Sequence, residues 1–262
     1  MGALARFYLA PSAWNPDLLV LEGDEAHHCT SVMRRQVGDE ITIFNGAGRW
    51  ARCRMTSVAG RKVGLEMLEE GRTPAPAVSL SLLQAIPKGG NMEWIVEKSV
   101  ELGVNAIHPV LTARTVVKLD RKEAAKKQEK WQRLALEACK QCGQNWLPVI
   151  HAPASLTEVL AGLPEHDLRI VAAIQEDARH LKAILEERRG EGNAVDSALL
   201  CIGPEGDFTP EEYELARESG CLPMTLGTII LRVETATMYG LSVLGYELGD
   251  REMTAENTEP DF

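Results

Sequence analysis

A glycine-rich turn near the carboxyl terminus contains candidate ligand-binding residues. The apolar run 198–202 ends in the turn 203–206, and a helix is predicted just beyond it, because Thr209 and Glu212 form the Thr-x-x-Glu pattern of a capping box. A strand, a glycine loop and a helix start in this order mark the place where α/β sheets bind cofactors, since backbone without a Cβ can approach a ligand closely. The segment predicts a cofactor site; a plain tight turn is the alternative.

The composition of this turn excludes two familiar phosphate sites. It contains neither the Gly-x-Gly-x-x-Gly of a dinucleotide site nor the Gly-Lys-Ser/Thr of a P-loop. Glu205 within the turn would repel a pyrophosphate, whereas a cationic sulfonium or a ribose hydroxyl tolerates a carboxylate. A nucleotide-dependent oxidoreductase is therefore excluded.

A second glycine turn follows in the same region. Leu226-Gly227 ends a short run, a helix is predicted to start near 233–235, and Arg232 and Glu234 lie at that start. An isolated Arg and Glu at a helix start are usually a surface pair of little energetic weight. The adjacent glycine turn favours a functional interpretation of these two charges.

The predicted secondary structure changes near residue 79. Before it, short apolar runs are broken by turn signals, among them Asn45-Gly46, which predicts a hairpin turn with both residues at positive φ. After it, apolar strands alternate with helices predicted at 92–102 and 122–142, the pattern of a parallel α/β sheet. The Pro-rich stretch 69–78 predicts a linker between the two parts. We therefore expect a small β-barrel or sheet followed by an α/β domain.

The net charge of −10 argues against a nucleic-acid partner, but its distribution favours one. Residues 28–62 contain seven bases against two acids, and residues 114–133 contain eight bases against three acids. The polar segment 247–262 carries six acids and one Arg. The two basic stripes could contact phosphate, with ordinary solvated faces as the alternative for each.

The remaining composition is that of an ordinary soluble protein of 262 residues, with 45% hydrophobic and 25% charged residues. No run of about 20 apolar residues predicts a membrane span. Only Cys139 and Cys142 have metal-like spacing, and no second pair completes a four-ligand set, so no metal site is predicted. Reduced structural thiols and a cytoplasmic location are expected.

The two glycine segments resemble the paired motifs of the RsmE methyltransferases in the SPOUT superfamily. IGPEGDFTPEE and LGTIILRVETA are similar to the family pattern IGPEGGF-x-x-E-E followed by LG-x-x-ILR-x-ETA. Further similar segments follow the family's order upstream: HHCTSVMRRQVGDEITIFNGAG, IPKGGNMEWIVEKSVELGV, ARTVVK and KWQRLALEACKQCGQNWLP. Two departures stand out, since the family commonly has Arg where this chain has Gln144 and often a basic residue at Thr228 or Ile229.

The resemblance implies an α/β SPOUT methyltransferase domain with a carboxy-terminal trefoil knot, preceded by a small PUA-like β-barrel that binds RNA. The implied boundaries are 1–72 for the barrel, 73–78 for the linker, 79–250 for the methyltransferase domain and 251–262 for a tail expected to be disordered. It also implies a homodimer. The final helix, 236–248, is a candidate for the dimer interface and equally a candidate for plain core.

The family's functional residues carry over to three groups of positions. The implied cofactor is S-adenosylmethionine, held by Ile202, Gly203, Pro204, Glu205, Gly206, Leu226, Gly227, Leu231 and Arg232. The implied catalytic residues are Arg232, to stabilise a developing uracil anion, and Glu234, either as the base or to orient Arg232. The implied RNA contacts are His28, Arg34, Arg35, Lys88, Arg114 and Lys118.

The implied activity is methylation of N3 of a uridine in 16S ribosomal RNA of the small ribosomal subunit. Two alternatives stay open: a SPOUT enzyme that methylates a ribose 2′-oxygen or another base, and a catalytically silent RNA-binding assembly protein. Both glycine turns and Arg232 argue against the silent protein, whereas Gln144 weakens the case for an RNA contact at that spot.

Overall fold

The computed structural model describes residues 4–192 and 194–249, which divide into two compact units. The first unit comprises residues 4–75 and Leu136–Leu147, and the second comprises Pro76–Ala135 and residues 148–249. The tail predicted at 251–262 lies outside the described residues.

The first unit is built on a five-stranded sheet with the order β1-β3-β4-β5-β2. Its strands are β1 (Arg6–Tyr8), β2 (Leu19–Glu22), β3 (Glu40–Phe44), β4 (Arg49–Ala59) and β5 (Lys62–Arg72). The β1–β3 pair is parallel and the other pairs are antiparallel. A short helix, α1 (Gly23–His27), continues into a π-helical turn at His28–Val32. Alternate strand residues such as Phe7, Leu21, Ile41 and Ile43 are buried, so one face of the sheet covers the core of this unit.

The predicted hairpin between β3 and β4 is confirmed, but its predicted turn is wrong. The connection has four residues, and only the glycines Gly46 and Gly48 have positive φ. Asn45 instead accepts hydrogen bonds on Oδ1 from the backbone N–H groups of Ala47 and Arg49. The side chain of Asn45 therefore closes the loop, which removes the need for the left-handed backbone of a two-residue turn.

The second unit contains a seven-stranded sheet in which every pair is parallel. Its strands are β6 (Ser79–Ala85), β7 (Ala106–Leu111), β8 (Val149–Ile150), β9 (Ala154–Ser155), β10 (Leu168–Ala172), β11 (Ser197–Ile202) and β12 (Leu222–Met224). Along the sheet the order is β12-β10-β11-β6-β7-β8, with β9 also paired to β7. Because the strands are parallel, the carboxyl ends of β12, β10, β11 and β6 lie side by side at one edge.

Six helices pack with these strands in the described residues. They are α2 (Asn91–Glu101), α3 (Arg121–Cys142), α4 (Leu156–Gly162), α5 (Leu181–Gly190), α6 (Pro210–Glu218) and α7 (Val233–Leu248). Thr209 caps α6, and its side chain and that of Glu212 make both hydrogen bonds of the predicted capping box. No helix within the described part of the chain is long and apolar enough to cross a membrane.

The final helix is fixed to the centre of the sheet by a buried polar contact. The hydroxyl of Thr237, on α7, donates to Oε1 of Gln84, on β6, at 2.7 Å, and neither residue is exposed to solvent. Gly240 on the same helix face packs on Leu200 so closely that a Cβ there would lie 2.7 Å from a methyl group of that leucine. The inner face of α7 is therefore core.

Candidate functional site

The carboxyl ends of the neighbouring strands enclose a cavity of about 490 Å³, within the usual range for small-molecule sites. Four segments of chain contribute to its lining: Asn91 at the start of α2, residues 172–174 at the end of β10, residues 202–205 with Asp207 at the end of β11, and most of residues 226–236 between β12 and the first turns of α7. The cavity therefore lies where an open α/β sheet binds its ligand.

Most of the predicted cofactor residues line this one cavity. The lining includes Ile202, Gly203, Pro204, Glu205, Leu226, Gly227, Leu231 and Arg232, and Glu234 borders it as well. Gly206, the remaining predicted residue, is outside the lining. The sequence pattern did not identify the other lining residues, which are Asn91, Ala172, Ala173, Ile174, Asp207, Ile229, Ile230, Val233 and Ala236.

The two glycine turns contribute to the cavity in different ways. A Cβ on Gly203 would lie 3.2 Å from Oδ1 of Asp207 and from the backbone nitrogen of Phe208, so the loop leaves little room for a side chain at this position. Gly227 has a φ of +114°, a conformation that L side chains rarely adopt, and faces open space. The absence of side chains at both turns thus keeps the cavity open to a ligand.

Two long-range contacts hold the first turn. A carboxylate oxygen of Glu205 accepts a hydrogen bond from the backbone N–H of Lys88 at 2.8 Å. The guanidinium of Arg114 donates to the carbonyl oxygens of Gly206 and Phe208, the second at 3.2 Å. Arg114, predicted as an RNA contact, is thus bonded to the turn that lines the cavity.

Arg232 and Glu234 both border the cavity but do not bond to each other. Arg232 is exposed and its guanidinium has no hydrogen-bond or ion-pair partner within residues 4–192 and 194–249. The carboxylate of Glu234 lies 3.5 Å from the amide nitrogen of Asn91. The structure therefore gives no support to the hypothesis that Glu234 orients Arg232, and it leaves one unpaired cation beside one carboxylate at the cavity.

The basic stripe at residues 28–62 is mostly neutralised within the first unit. Five of its bases form ion pairs: Arg49 with Glu70, Arg52 with Glu40 and Glu69, Arg54 with Glu40 and Glu66, Arg61 with Asp24, and Lys62 with Glu22. The other two, Arg34 and Arg35, have no ion-pair partner among the described residues. Arg34 is exposed and has a φ of +54°, and the Nε of Arg35 is buried without a hydrogen bond.

The other predicted RNA contacts have different surroundings. His28 is half-buried and makes an edge contact with the core ring of Phe7, with 5.9 Å between ring centroids. Lys88 and Lys118 are exposed, and their ammonium groups have no acidic partner within the part of the second unit that the structure describes. Gln144 accepts a hydrogen bond from the backbone of Trp146 at 3.1 Å, a local contact within the turn that follows α3.

A second hollow of the same unit lies at the opposite, amino ends of the strands, where Ser79, Ala106 and Ser197 border it. Its floor contains two stacked imidazoles, those of His108 and His151, with ring centroids 4.1 Å apart. Burial, and secondarily the neighbouring imidazoles, lower the pKa of His108 to about 4. No cluster of His, Cys, Asp or Glu in the described residues could hold a metal ion.

Two family models match the chain. The model described as an RNA methyltransferase domain matches residues 73–245, and the model described as an RNA methyltransferase PUA domain matches residues 21–66. The first match covers the second unit's cavity and both glycine turns, and the second falls within the five-stranded sheet.

Curated relatives and solved structures resemble the chain over most of its length. The ribosomal RNA small subunit methyltransferase E of Bacillus subtilis is 33% identical over 87% of this chain and 89% of its own. A protein of the same name from Neisseria gonorrhoeae, solved bound to S-adenosylmethionine, is 30% identical with a TM-score of 0.83, covering 95% of this chain and all of that one. A Legionella pneumophila protein solved with the same bound cofactor is 31% identical with a TM-score of 0.84, again over 95% and 100% of the two chains.

Proposed function

The chain belongs to the ribosomal RNA small subunit methyltransferase E family, and on that premise we propose that it transfers a methyl group from S-adenosylmethionine to N3 of a uridine in 16S ribosomal RNA. Methylation of ribosomal RNA by this cofactor follows from the family, and N3 of uridine is the acceptor atom that we propose. The observation that supports it best is the unpaired guanidinium of Arg232 at a cavity that Gly203 and Gly227 also line.

The chain's own residues fit the cofactor. The cavity combines apolar walls, such as Ile202 and Leu231, with the carboxylate of Glu205 and open glycine backbone. When bound, S-adenosylmethionine supplies a methyl group activated by a sulfonium sulfur. A cationic ligand tolerates a neighbouring carboxylate, which a pyrophosphate would not, and backbone groups of the turns can hydrogen-bond an adenine edge without a dedicated side chain.

Arg232 and Glu234 are suited to the chemistry of uracil N3. This nitrogen carries a proton and is a poor nucleophile until that proton leaves. A guanidinium that has no other partner can stabilise the negative charge that then develops on the uracil oxygens. The carboxylate of Glu234, bonded only weakly to Asn91, can accept the proton from N3.

The target base must be unpaired or turned out of its helix, because N3 lies on the Watson–Crick edge. In the first unit, Arg34 and Arg35 are the bases of the stripe 28–62 that keep a free charge for phosphate. In the second unit, Lys88 and Lys118 are exposed, and the backbone N–H of Lys88 bonds to Glu205 of the cavity lining. These four cations are the proposed RNA contacts.

The proposal includes a homodimer in the cytoplasm and a trefoil knot made by the segment that carries both glycine turns. The outer face of α7 supports the dimer, because Tyr239 and Tyr246 lie seven residues apart on one side of the helix and are 50% and 80% exposed. Large exposed aromatic side chains are typical of interface cores. Sedimentation equilibrium of the wild type and of Tyr246→Glu would test it, with a monomeric wild type as the contrary result.

The activity itself is tested by locating the transferred methyl group. Protein, S-adenosylmethionine with a labelled methyl group and small ribosomal subunits are incubated, and the digested 16S RNA is analysed by mass spectrometry. We expect label in 3-methyluridine at one site. Label on a ribose 2′-oxygen or on another base would overturn the assignment to N3, and absence of label would overturn the activity.

The same assay tests the role of Arg232. Arg232→Ala is expected to slow methylation by on the order of a hundredfold, by analogy with removal of a donor that stabilises developing charge. Lys182→Ala, which removes an exposed charge on α5, is the matched control and should leave the rate unchanged. A rate within about threefold of the wild type for Arg232→Ala would exclude the proposed role.

A further inference from the structure

A buried tyrosine connects two of the segments that line the cavity. Tyr213, in the first turns of α6, is only 2% exposed. Its hydroxyl donates to Oδ1 of Asp207 at 2.9 Å and lies 3.3 Å from the carbonyl oxygen of Ala172. Asp207 follows β11 and Ala172 ends β10, and both residues line the cavity. The hydroxyl group therefore lies between the ends of two adjacent parallel strands, close to a polar atom of each.

The backbone of Asp207 is held in an uncommon conformation at this contact. Its φ is +62°, in the left-handed region, which Asp and Asn tolerate better than other residues with a Cβ. Oδ1 accepts a second hydrogen bond from the backbone N–H of Phe208 at 2.9 Å, and the N–H of Asp207 donates to the carbonyl oxygen of Pro204 at 2.8 Å. The carboxylate thus determines the course of the loop that contains Gly203.

This arrangement has a direct geometric effect on Gly203. The same Oδ1 that receives the tyrosine hydroxyl would lie 3.2 Å from a Cβ on Gly203. The ring of Tyr213 also makes an edge contact with Phe208, with 5.6 Å between centroids. Loss of the hydroxyl would leave Oδ1 of Asp207 with the backbone N–H of Phe208 as its one remaining donor among these contacts, and the carboxylate beside Gly203 would be held less firmly.

We propose that Tyr213 and Asp207 are positioning residues that hold the turn 203–208 and the end of β10 in the shape required to bind the cofactor. The inference rests on the proposed function of the cavity as the S-adenosylmethionine site. Neither residue needs to touch the reacting atoms. Their effect is to fix the site before the ligand arrives, which increases affinity by reducing the cost of ordering the loop on binding.

A positioning role differs measurably from a merely structural one. A buried hydrogen bond that only secures α6 would lower the free energy of unfolding and leave the affinity of the folded protein unchanged. A hydrogen bond that shapes the cavity changes the Kd and the KM for S-adenosylmethionine, whereas the kcat at saturating cofactor stays nearly constant because the filled site is the same.

The test is calorimetric titration of S-adenosylmethionine into the full chain without RNA, combined with kcat and KM measured on small ribosomal subunits. Tyr213→Phe is expected to raise the Kd by about tenfold or more, the range for loss of a hydrogen bond to a charged group, with kcat changed by less than about twofold. Tyr8→Phe, at a half-buried tyrosine of β1 that packs on Phe44 in the first unit, is the matched control and should bind as the wild type does.

Variants of Asp207 complete the test. Asp207→Asn keeps an Oδ1 acceptor and tolerates positive φ, so its Kd should stay within about threefold of the wild type. Asp207→Ala should lose at least as much affinity as Tyr213→Phe, because it also removes the hydrogen bond from the backbone N–H of Phe208 and places an alanine at positive φ. The double variant should lose little more than Asp207→Ala, because that single change has already removed the bond to Tyr213. Asp207 is half-exposed, so its variants keep the test valid if Tyr213→Phe folds poorly.

The outcomes separate the two proposals. If the wild type binds the cofactor and Tyr213→Phe and Asp207→Ala bind it with Kd values within twofold, the positioning role is wrong and the cofactor site stands. If the wild type itself binds no S-adenosylmethionine, the proposed function of the cavity fails, and the positioning role fails with it.

Discussion

Nη1 of Arg114 donates a hydrogen bond to the carbonyl oxygen of Phe208 at 3.2 Å. The same nitrogen donates to the carbonyl oxygen of Gly206, so the guanidinium bonds to two carbonyl groups of the segment that follows β11. The resemblance had implied that Arg114 contacts RNA. In the structure Arg114 instead bonds to the turn 203–206. An RNA contact and a support of this turn would have different effects on S-adenosylmethionine affinity measured without RNA.

We expect Arg114→Ala to weaken binding of S-adenosylmethionine in a titration that contains no RNA. Two carbonyl groups would lose a charged donor, and a loss of about 1.5 to 3 kcal/mol, roughly tenfold to a hundredfold in Kd, is typical of such a bond. Arg133→Ala on α3 removes an equal charge without touching the turn and is the control. If Arg114→Ala bound S-adenosylmethionine with an unchanged Kd and bound RNA more weakly, Arg114 would be an RNA contact, contrary to this prediction.

Arg34 and Arg35 are predicted to carry most of the salt-dependent RNA affinity of the first unit. The double variant Arg34→Ala/Arg35→Ala should reduce the slope of log K against log salt by about 1.4, the value for two phosphate contacts on single-stranded RNA. Fluorescence anisotropy with a 16S RNA fragment at several salt concentrations would measure the slope.

Arg52→Ala is the matched control for this slope. Arg52 is already paired with Glu40 and Glu69, so its removal should leave the slope nearly unchanged. An equal decrease for the control and the double variant would mean that the ion pairs open when RNA binds, contrary to the prediction.

His108 makes the stability of the second unit sensitive to acid. Because burial lowers its pKa from 6.5 to about 4, the unfolded chain binds a proton between these pH values that the folded chain does not. The contribution of His108 to the free energy of unfolding is therefore fully present above pH 6.5. It is lost as the pH falls toward 4, by about 3 kcal/mol in all. His108→Phe keeps a ring against His151 and lacks this titration.

Urea unfolding of both proteins at intervals between pH 7 and pH 4 measures the effect. The wild type should lose more free energy of unfolding across this range than His108→Phe does, since their other acids and bases are the same. Parallel pH profiles of the two proteins would show that His108 does not contribute.

The sequence predicts those parts of the fold that depend on local pattern. Met92, Ile95, Val96 and Val100 fall on one face of the predicted helix, and in α2 all four are buried. The continuous apolar run at 198–202 predicts a strand buried on both faces, and β11 has parallel neighbours on both sides. Glycine turns at the ends of such strands identify most of the cavity lining, because the carboxyl ends of parallel strands meet at one edge.

The sequence does not predict contacts that depend on the order or register of strands. Asn91 and Ala172 line the cavity only because β6 and β10 flank β11 in the sheet. Likewise, the charge of the stripe 28–62 is overestimated by counting along the chain, because the register places Arg52 opposite Glu69 and Arg54 opposite Glu66. Pairing across strands cancels charges that are far apart in sequence.

Asp207 is a residue that a closer comparison could have found. It stands where the family pattern IGPEGGF has its second consecutive glycine, and the structure gives it the positive φ that a glycine there would adopt readily. A non-glycine residue at such a position is a signal that its side chain has partners, here Phe208 and Tyr213. For Tyr213, on a predicted helix, the sequence predicts only a buried core residue, because its contact with Asp207 depends on the fold.

The most direct test of the cavity as the cofactor site is calorimetric titration of S-adenosylmethionine into Gly203→Val. A Cβ at this position would already lie 3.2 Å from the backbone of Phe208, so the larger side chain should displace the turn and abolish measurable binding, while Gly190→Val, which faces open space, binds as the wild type does. A Kd for Gly203→Val equal to that of the wild type would contradict the assignment.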